Sequence, residues 1–440
     1  MFSLHRYRQK LVLLDPSTIL VTVTTLLFLF SIIKIFNATT QVSSIRLGDL
    51  VVHDTASNID ATTNPSKSNF DLDSNSDDII SGSKSNSKSK SSLSSDTKKL
   101  TGSKLLNSQS EAPYQRENAT IMTLCRDEDM WDIIKSVRRL EDRFNHKYHY
   151  DWVFLNNEEF SDEFKKRLTS LVSGEAKFGV IPREHWSYPD FVDQEKAKEG
   201  RERMAQQGII YAEMESYRHM CRFNSGFFYE HPLMKQYKYY WRVEPDVNFF
   251  CDVDYDPFRY LRVNNKLYGF TISIYEFELT IESLWGHVKD FIKKNPQYLD
   301  KNNFMDFLSN DGGDSYNLCH FWSNFEIADM DFWRSEAYTK FFNYLDSTGG
   351  FFYERWGDAP IHSIGISLFA GRDQIHYFDD IGYNHGVYSM CPIDEQVWLD
   401  KKCSCEPNSD FTFRGYSCGQ HYFKVTGKKK PDNWKDYADL

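Results

Sequence analysis

Two carboxylates flank a proline at the end of an apolar run, in the stretch YYWRVEPDVNFF, residues 239–250. A proline removes a backbone donor and holds the residue before it extended, and residues two apart in an extended chain point to the same side. Glu244 and Asp246 could therefore converge on one cation. Hard oxygen ligands that leave room for a diphosphate suit Mg²⁺ or Mn²⁺. A solvated turn after a strand is the competing interpretation, because Glu-x-Asp alone is a weak signal.

A third carboxylate, Glu326, lies in the stretch NFEIADMDFW and has aromatic residues on both sides along the chain. Phe321, Trp322, Phe325 and Phe332 would tend to desolvate it, and a carboxylate in such surroundings is a candidate for chemistry. The alternative is a structural carboxylate that ties a loop to the backbone. Sequence spacing alone leaves both interpretations open.

The elements that must position these groups alternate between strand and helix patterns. ATIMTLCR (119–126) predicts a buried strand, and apolar residues at helical spacing follow from Met130 to Phe144. DWVFLNN predicts a second strand, a second helix stops at Gly174, and AKFGVIP predicts a third strand. This order predicts an α/β fold with a mostly parallel central sheet and right-handed crossovers.

Ligands of such sheets bind beyond the carboxyl ends of the strands. YYWRV is the interior of a further strand, so Glu244 and Asp246 leave the sheet at the edge where ligands bind. Arg126 ends the first strand and is therefore a candidate for contact with a phosphate of a nucleotide cofactor or donor. A surface arginine that caps a loop is an equally good interpretation.

The N-terminal residues predict a membrane anchor. Arg6, Arg8 and Lys10 precede an apolar run from Ile19 to Phe36, and no small-residue cleavage site follows the run. About 18 to 20 residues cross a ~30 Å hydrocarbon core, so the run is long enough to span it. We expect a cytoplasmic tail over 1–15, an uncleaved anchor over 16–36, and a lumenal remainder, because basic residues stay on the cytoplasmic side.

Composition divides the lumenal part into two regions. Residues 37–112 are rich in Ser, Asn, Asp, Lys and Thr, with SGSKSNSKSKSSLSSDTKK (81–99) as the extreme. Such a segment cannot bury enough apolar surface to offset its ordering entropy, so we expect a disordered stem. Residues 113–440 are dense in Trp, Tyr and Phe, so they can build a large core, and we expect them to form one lumenal catalytic domain.

The cysteines and the charge limit the classes of partner. All eight cysteines follow residue 113 and are available for disulfides in an oxidising lumen. Cys403 and Cys405 are too close to bond comfortably with each other, and Cys391 and Cys418 are their nearest candidates. Without a CxxC pair, a zinc site is disfavoured. A formal net charge of −11 gives no support for nucleic-acid binding, which requires a basic face.

Five stretches of the chain resemble the fungal Golgi α-1,2-mannosyltransferases of glycosyltransferase family 15. They are YYWRVEPDV, MESYRHMCRFNSGFFYEHPL (214–233), LCHFWSNFEIADMDFWRSEAY (318–338), GGFFYERWGDAPIHS (349–363) and IHYFDDIGYNH (375–385). The resemblance extends from about residue 115 to 425 and includes the anchor and stem layout. It implies a GT-A-like, Rossmann-like fold, GDP-mannose as donor, Mn²⁺ as cofactor, a retaining reaction and a single-pass type II position in the Golgi membrane.

The resemblance also implies roles for individual residues. Glu244 and Asp246 take the place of the Asp-x-Asp motif that binds metal and nucleotide sugar, and His385 matches the histidine metal ligand. Glu326 corresponds to the proposed nucleophile; in a same-face reaction it would only stabilise positive charge at the sugar carbon. Tyr217 matches a tyrosine near the donor phosphate and the acceptor.

Three further residues are candidates for binding the acceptor sugar. Glu276, in SIYEFE, and Asp358, in ERWGDAP, are assigned to acceptor hydroxyls, and Trp356 beside Asp358 offers a flat aromatic ring. The alternative for Asp358 is a structural ion pair with Arg355.

The function expected from these residues is α-1,2-mannosyl transfer to O-linked or N-linked glycoprotein glycans. The nearer alternative is an enzyme that transfers mannose 1-phosphate from the same donor. The farther one is a non-catalytic, mannan-binding cell-wall protein on a Ser-rich stalk.

Overall fold

A computed structural model describes residues 114–438 of the chain. The predicted tail, anchor and stem lie outside the described residues, so those three predictions remain untested. Between residues 114 and 438, no helix has both the length and the apolar character needed to cross a membrane.

A seven-stranded sheet forms the centre of the domain, in the order β10-β6-β9-β4-β1-β2-β3. The domain also contains a three-stranded sheet, in the order β12-β11-β5, and a two-stranded sheet, β7-β8. The strands are β1 (Ala119–Leu124), β2 (Asp151–Asn156), β3 (Ala176–Val180), β4 (Tyr239–Arg242), β5 (Val247–Phe249), β6 (Tyr268–Phe270), β7 (Ser273–Tyr275), β8 (Cys319–Phe321), β9 (Glu326–Asp329), β10 (Ile375–Tyr377), β11 (Tyr383–His385) and β12 (Tyr388–Met390).

Helices connect and cover these strands. They are α1 (Met130–Leu140), α2 (His146–Tyr148), α3 (Asp162–Thr169), α4 (Gln194–Gln206), α5 (Glu215–Gly226), α6 (Pro257–Val263), α7 (Leu284–Lys294), α8 (Met305–Leu308), α9 (Met330–Trp333), α10 (Glu336–Ser347), α11 (Gly350–Tyr353), α12 (Asp358–Phe369), α13 (Glu395–Asp400) and α14 (Gly419–Thr426). The helix predicted from Met130 is confirmed, and a π-helical turn extends it over Glu141–Asn145. Ile133, Val137 and Leu140 of that helix are buried, as the spacing predicts.

The predicted α/β fold with a mostly parallel sheet is confirmed, with one difference. Strands β1, β2, β3 and β4 pair in parallel, and so do β6 and β10. Strand β9 runs antiparallel between β4 and β6, and its register places Glu326 opposite Arg242. Because β9 is reversed, its first residue lies at the same edge as the carboxyl end of β4. The reversal therefore brings Glu326 to the edge of the sheet where ligands of parallel strands bind.

The turn after β4 leads into the three-stranded sheet. Pro245 and Asp246 form that turn, and Val247 of β5 pairs with His385 of β11. The prediction that Glu244 and Asp246 project from one extended segment is wrong, because Asp246 has a φ of 54° in the left-handed region. The chain thus reverses between the two carboxylates, and a short polar residue such as aspartate tolerates that conformation.

Three disulfides fix the C-terminal part of the domain: Cys251–Cys403, Cys319–Cys418 and Cys391–Cys405. Cys403 and Cys405 bond to separate partners, as predicted, and Cys391 is the partner of Cys405. Cys418 bonds to the distant Cys319 instead. Cys125 and Cys221 are buried free thiols, so six of the eight cysteines form disulfides.

Candidate functional site

A buried arginine organises the carboxylates at the end of β4. Arg242 donates from Nε to Glu244 Oε1 at 2.6 Å and from Nη1 to Asp358 Oδ2 at 2.5 Å, and Nη1 lies 3.6 Å from Glu326 Oε1. Burial by itself would lower the pKa of Arg242, but Asp358, Glu244 and Glu326 together raise it well above its usual value. The sequence signal for this group was a single arginine inside an apolar strand, because a buried charge requires partners.

Asp358 is the first residue of α12 and has two partners. Besides Arg242, Ser323 donates its hydroxyl to Asp358 Oδ2 at 2.7 Å. Burial would raise the pKa of Asp358, but the positive charge of Arg242 holds it below the usual value, and the nearby His362 adds to that effect. The alternative ion pair between Asp358 and Arg355 is wrong, since Arg242 is the partner. The Asp358 carboxylate is therefore kept ionised.

Glu326 is held by a histidine, His362, that the sequence analysis does not predict as a site residue. His362 Nδ1 lies 2.9 Å from Glu326 Oε2, and His362 Nε2 lies 2.9 Å from the carbonyl oxygen of Asn224. A carbonyl only accepts, so Nε2 carries a proton, and the proton between Nδ1 and Oε2 belongs to an imidazolium or to a carboxylic acid. Glu326 is 1% exposed. Its other oxygen, Oε1, has no hydrogen-bond partner among residues 114–438.

A signal for His362 was present in the sequence. His362 follows Asp358 by four residues, and that spacing places both side chains on one face of α12. Both side chains are buried. Asp358 contacts Arg242 of β4, and His362 contacts Glu326 of β9. A histidine and an aspartate at this spacing in an otherwise apolar helix could have been flagged as partners of the nearby buried charges.

The predicted metal ligands lie near one another at the turn between β4 and β5. The Glu244 carboxylate is engaged by Arg242, whereas the Asp246 side chain is 67% exposed, with Arg139 Nη1 at 3.7 Å. Burial lowers the pKa of His385, and the carboxylates of Glu244 and Asp246 oppose that shift, so both lie within electrostatic reach of the imidazole.

The donor set suits a hard divalent cation, although no closed cage is formed. Asn324 Nδ2 lies 2.8 Å from His385 Nδ1, so in this arrangement Nδ1 accepts and a neutral imidazole carries its proton on Nε2; binding of a cation through Nε2 would require the other tautomer. Within residues 114–438, no three His, Cys, Asp or Glu side chains are grouped closely enough to hold a metal ion. One imidazole and one or two carboxylates fit Mn²⁺ if a bound diphosphate supplies further oxygens.

Tyr217 lies within electrostatic reach of both Asp358 and Glu276. The guanidinium carbon of Arg355 is 5.1 Å from the centre of the Tyr217 ring. Burial raises the pKa of the Tyr217 phenol well above its usual value, and the charges of Asp358 and Glu276 add to that shift. Glu276 Oε2 lies 3.6 Å from the position that a Cβ would take at Gly357. The structure thus groups Tyr217, Glu276 and Asp358.

Two predicted site residues are not brought into this group. Trp356 is fully buried and donates its indole N–H to Glu354 Oε2 at 2.7 Å, so the ring has no face open to a sugar. Arg126 lies at the predicted edge of the sheet, but its side chain is exposed and donates to both carboxylate oxygens of Asp129, at 3.1 and 2.9 Å. In this conformation Arg126 caps the loop after β1.

Comparison with known proteins places this site in context. Residues 71–427 match the sequence model of a family described as glycolipid 2-α-mannosyltransferase. The chain is 60% identical over 323 residues to glycolipid 2-α-mannosyltransferase 2 of Candida albicans, covering 73% of this chain and 70% of that protein. It is 54% identical over 322 residues to the α-1,2-mannosyltransferase KTR1 of Saccharomyces cerevisiae, covering 73% and 82%.

Solved structures show the same similarity. Core-mannan synthase A (CmsA/Ktr4) of Aspergillus fumigatus, in a Mn/GDP form, is 44% identical with a TM-score of 0.68, covering 73% of this chain and 88% of that chain. The mannosyltransferase Ktr4p of S. cerevisiae in complex with GDP is 41% identical with a TM-score of 0.62, covering 73% and 80%.

Proposed function

The chain belongs to the glycolipid 2-α-mannosyltransferase family, and from this premise we propose that it transfers mannose from GDP-mannose to a mannose hydroxyl of a glycoprotein glycan. The new bond is α-1,2 and the configuration of the transferred mannose is retained. The observation that carries the proposal is the convergence of Glu326, Arg242 and Asp358 at the edge of the sheet, beside the turn that holds Asp246. Donor and cofactor follow from the similarity to structures determined with GDP, one of them with Mn.

The diphosphate of the donor binds at the turn after β4. Asp246, His385 and Glu244 would hold Mn²⁺ there, and the metal supplies positive charge that stabilises the departing diphosphate. Arg242 forms an ion pair with Glu244. The carboxylates of Asp358, Glu244 and Glu326 raise the pKa of Arg242, so the guanidinium stays positively charged. The Asp246 carboxylate is the most accessible of the proposed ligands, since its side chain is largely exposed.

Glu326 acts at the sugar carbon. His362 holds Oε2, so Oε1 is the oxygen that faces the anomeric carbon. In a double displacement, Oε1 forms a bond to that carbon as the carbon–oxygen bond to GDP breaks. The acceptor hydroxyl then displaces Glu326 and gives its proton to a phosphate oxygen of the departed GDP on the same face, which leaves Glu326 ionised and gives net retention. In a same-face reaction Oε1 forms no bond and stabilises the positive charge that develops on the sugar.

The acceptor binds on the side of Tyr217, Glu276 and Asp358. Asp358 is ionised, so it accepts a hydrogen bond from a sugar hydroxyl without first losing a proton. Glu276 Oε2 lies close to Gly357, the residue that directly precedes Asp358. The Tyr217 phenol stays protonated, because burial and two neighbouring carboxylates raise its pKa, and it can donate to an oxygen of the donor or the acceptor.

We also propose that the enzyme is a single-pass type II protein of the Golgi membrane. The basic residues before Ile19 and the apolar run that ends at Phe36 support this position. Protease protection of sealed Golgi vesicles tests it: residues 113–440 should be protected until detergent is added, and an N-terminal tag should be digested at once.

One incubation tests the reaction. The purified full-length chain is given GDP-mannose, Mn²⁺ and methyl α-mannoside, and the products are analysed by NMR. Mannosyl transfer releases GDP and yields a neutral α-1,2 disaccharide. Transfer of mannose 1-phosphate would release GMP and yield a phosphodiester. Binding of mannan with no product from a folded chain would favour the non-catalytic alternative.

A further inference from the structure

Two aromatic side chains that the proposed reaction does not use are exposed beside Glu276. Phe277 is 56% exposed and Tyr416 is 37% exposed, and their ring centres lie 6.0 Å apart with an interplanar angle of 42°. The ring of Tyr275 lies 6.1 Å from that of Tyr416. Contiguous exposed apolar side chains, unlike ones scattered singly, are typical of binding surfaces.

This aromatic pair, Phe277 and Tyr416, is held in place. The disulfide Cys319–Cys418 ties the segment after Tyr416 to β8. The backbone N–H of Tyr275 donates to the carbonyl of Tyr416 at 3.4 Å, and the N–H of Cys418 donates to the carbonyl of Ser273 at 3.0 Å. The rings are therefore presented by fixed backbone, and a ligand that stacks on them costs little ordering entropy in the protein.

The aromatic pair is continuous with the proposed acceptor site. Glu276 directly precedes Phe277, and its carboxylate lies beside Gly357. Burial raises the pKa of Tyr416, and the Glu276 carboxylate raises it further, which places that carboxylate near the phenol as well. A chain of groups thus runs from Asp358 through Glu276 to the two exposed rings.

We propose that Phe277 and Tyr416 form an outer saccharide subsite, which binds the mannose that precedes the reacting residue in an oligomannoside acceptor. A mannopyranose has a face of outward C–H bonds that packs on an aromatic ring, and its rim of hydroxyls can donate to Glu276. Stable protein partners bury about 1,200–2,000 Å², far more than two rings offer, so a saccharide is the better fit. The proposal rests on the mannosyltransferase function proposed above.

The test compares two acceptors on the full-length enzyme with GDP-mannose and Mn²⁺. The quantity measured is the ratio of kcat/KM for α-1,2-mannotriose to kcat/KM for methyl α-mannoside, since only the trisaccharide reaches the outer subsite. We expect Phe277→Ala to lower this ratio about tenfold, as truncation of a central aromatic anchor does at binding sites. Phe277→Tyr keeps the ring and should retain most of the preference.

Phe191→Ala is the matched control, because Phe191 is a phenylalanine of similar exposure, 51%, outside the proposed site. It should leave the ratio unchanged. An unchanged ratio in Phe277→Ala, including the case in which kcat/KM falls equally for both acceptors, would overturn the outer subsite while the proposed function stands. No transfer by the unmodified enzyme to either acceptor would overturn the proposed function and the subsite with it.

Discussion

His362 engages one carboxylate oxygen of Glu326, and the other, Oε1, has no hydrogen bond within residues 114–438 and only the longer ion pair with Arg242 Nη1, at 3.6 Å. The contact between His362 Nδ1 and Glu326 Oε2 is 2.9 Å long and fully buried, and the carbonyl of Asn224 fixes the far side of the imidazole. A buried carboxylate that is hydrogen-bonded at only one oxygen carries a desolvation cost at the other. Such a cost is tolerated at sites where a substrate supplies the missing partner.

Loss of His362 should therefore impair turnover more than donor binding. His362→Ala frees Oε2 and lets the Glu326 side chain turn, so we expect kcat to fall by about 10- to 100-fold, with little change in the KM for GDP-mannose. His362→Asn keeps an N–H donor near Nδ1 and should restore part of kcat. The measurement is steady-state kinetics at saturating acceptor, with the melting temperature of each variant.

A purely structural role for His362 would give a different result. Both variants would then lose activity in proportion to their loss of stability, and the KM for GDP-mannose would change as much as kcat. His231→Asn is a useful control, because His231 is also buried but its ring contacts the backbone of Val180, on the edge strand β3, and of Leu233.

Glu326→Gln should remove the negative charge at the sugar carbon while keeping the size of the side chain. We expect kcat to fall by at least about 100-fold, because the lost interaction acts in the transition state. The affinity for GDP, measured by calorimetry, should be preserved. Glu336→Gln, an exposed carboxylate on α10, serves as the control. An unchanged rate in Glu326→Gln would exclude both the nucleophile and the charge-stabilising role.

Part of the central sheet could be predicted from local sequence patterns, and part could not. Strands β1 to β3 and the helix from Met130 are accurately predicted, because their apolar spacing is local and each strand pairs with a sequence neighbour. The reversal of β9 was not predicted, since the direction of a four-residue strand depends on packing against β4 and β6 rather than on its own pattern. That reversal is what places Glu326 at the ligand-binding edge.

Some residues of the candidate site could likewise be proposed from the sequence, and others could not. Glu244, Asp246 and Glu326 could be proposed from the sequence because carboxylates next to apolar or aromatic runs are conspicuous in it. Arg242 and His362 were not assigned, because their importance comes from contacts across strands and between distant segments. Trp356 shows the opposite error: Asp358, two residues later, pairs with Arg242, but Trp356 lies in the loop before α12 and its indole is fully buried.

Asp358 should make stability depend on acid pH. Its pKa is lower in the folded protein than in the unfolded chain, because Arg242 holds the ionised form. The unfolded state therefore binds more protons, so the stabilisation is fully present above the unfolded pKa of about 3.9 and is lost as pH falls through the lower folded value. Asp358→Asn should be less stable at pH 6 and show a shallower loss of stability between pH 5 and 3.

Urea unfolding of both proteins across that pH range measures the effect. Asp142→Asn is the control, because Asp142 is exposed and paired only at the surface. Parallel pH curves for the unmodified protein and Asp358→Asn would show that Asp358 is not held ionised by Arg242.

The metal ligands can be tested by binding as well as by activity. Asp246→Asn and His385→Ala should each raise the Mn²⁺ concentration required for half-maximal activity by about 10- to 100-fold, because each removes a ligand or weakens one. Electron paramagnetic resonance of free Mn²⁺, titrated in the presence of GDP, should show the same loss of affinity without any turnover. Asp142→Asn, at an exposed ion pair with Arg138 outside the proposed ligand set, should leave Mn²⁺ affinity unchanged. Unaltered Mn²⁺ binding in Asp246→Asn or His385→Ala would remove that residue from the metal site, and would leave the remaining carboxylate at the turn and the diphosphate as the groups that hold the ion.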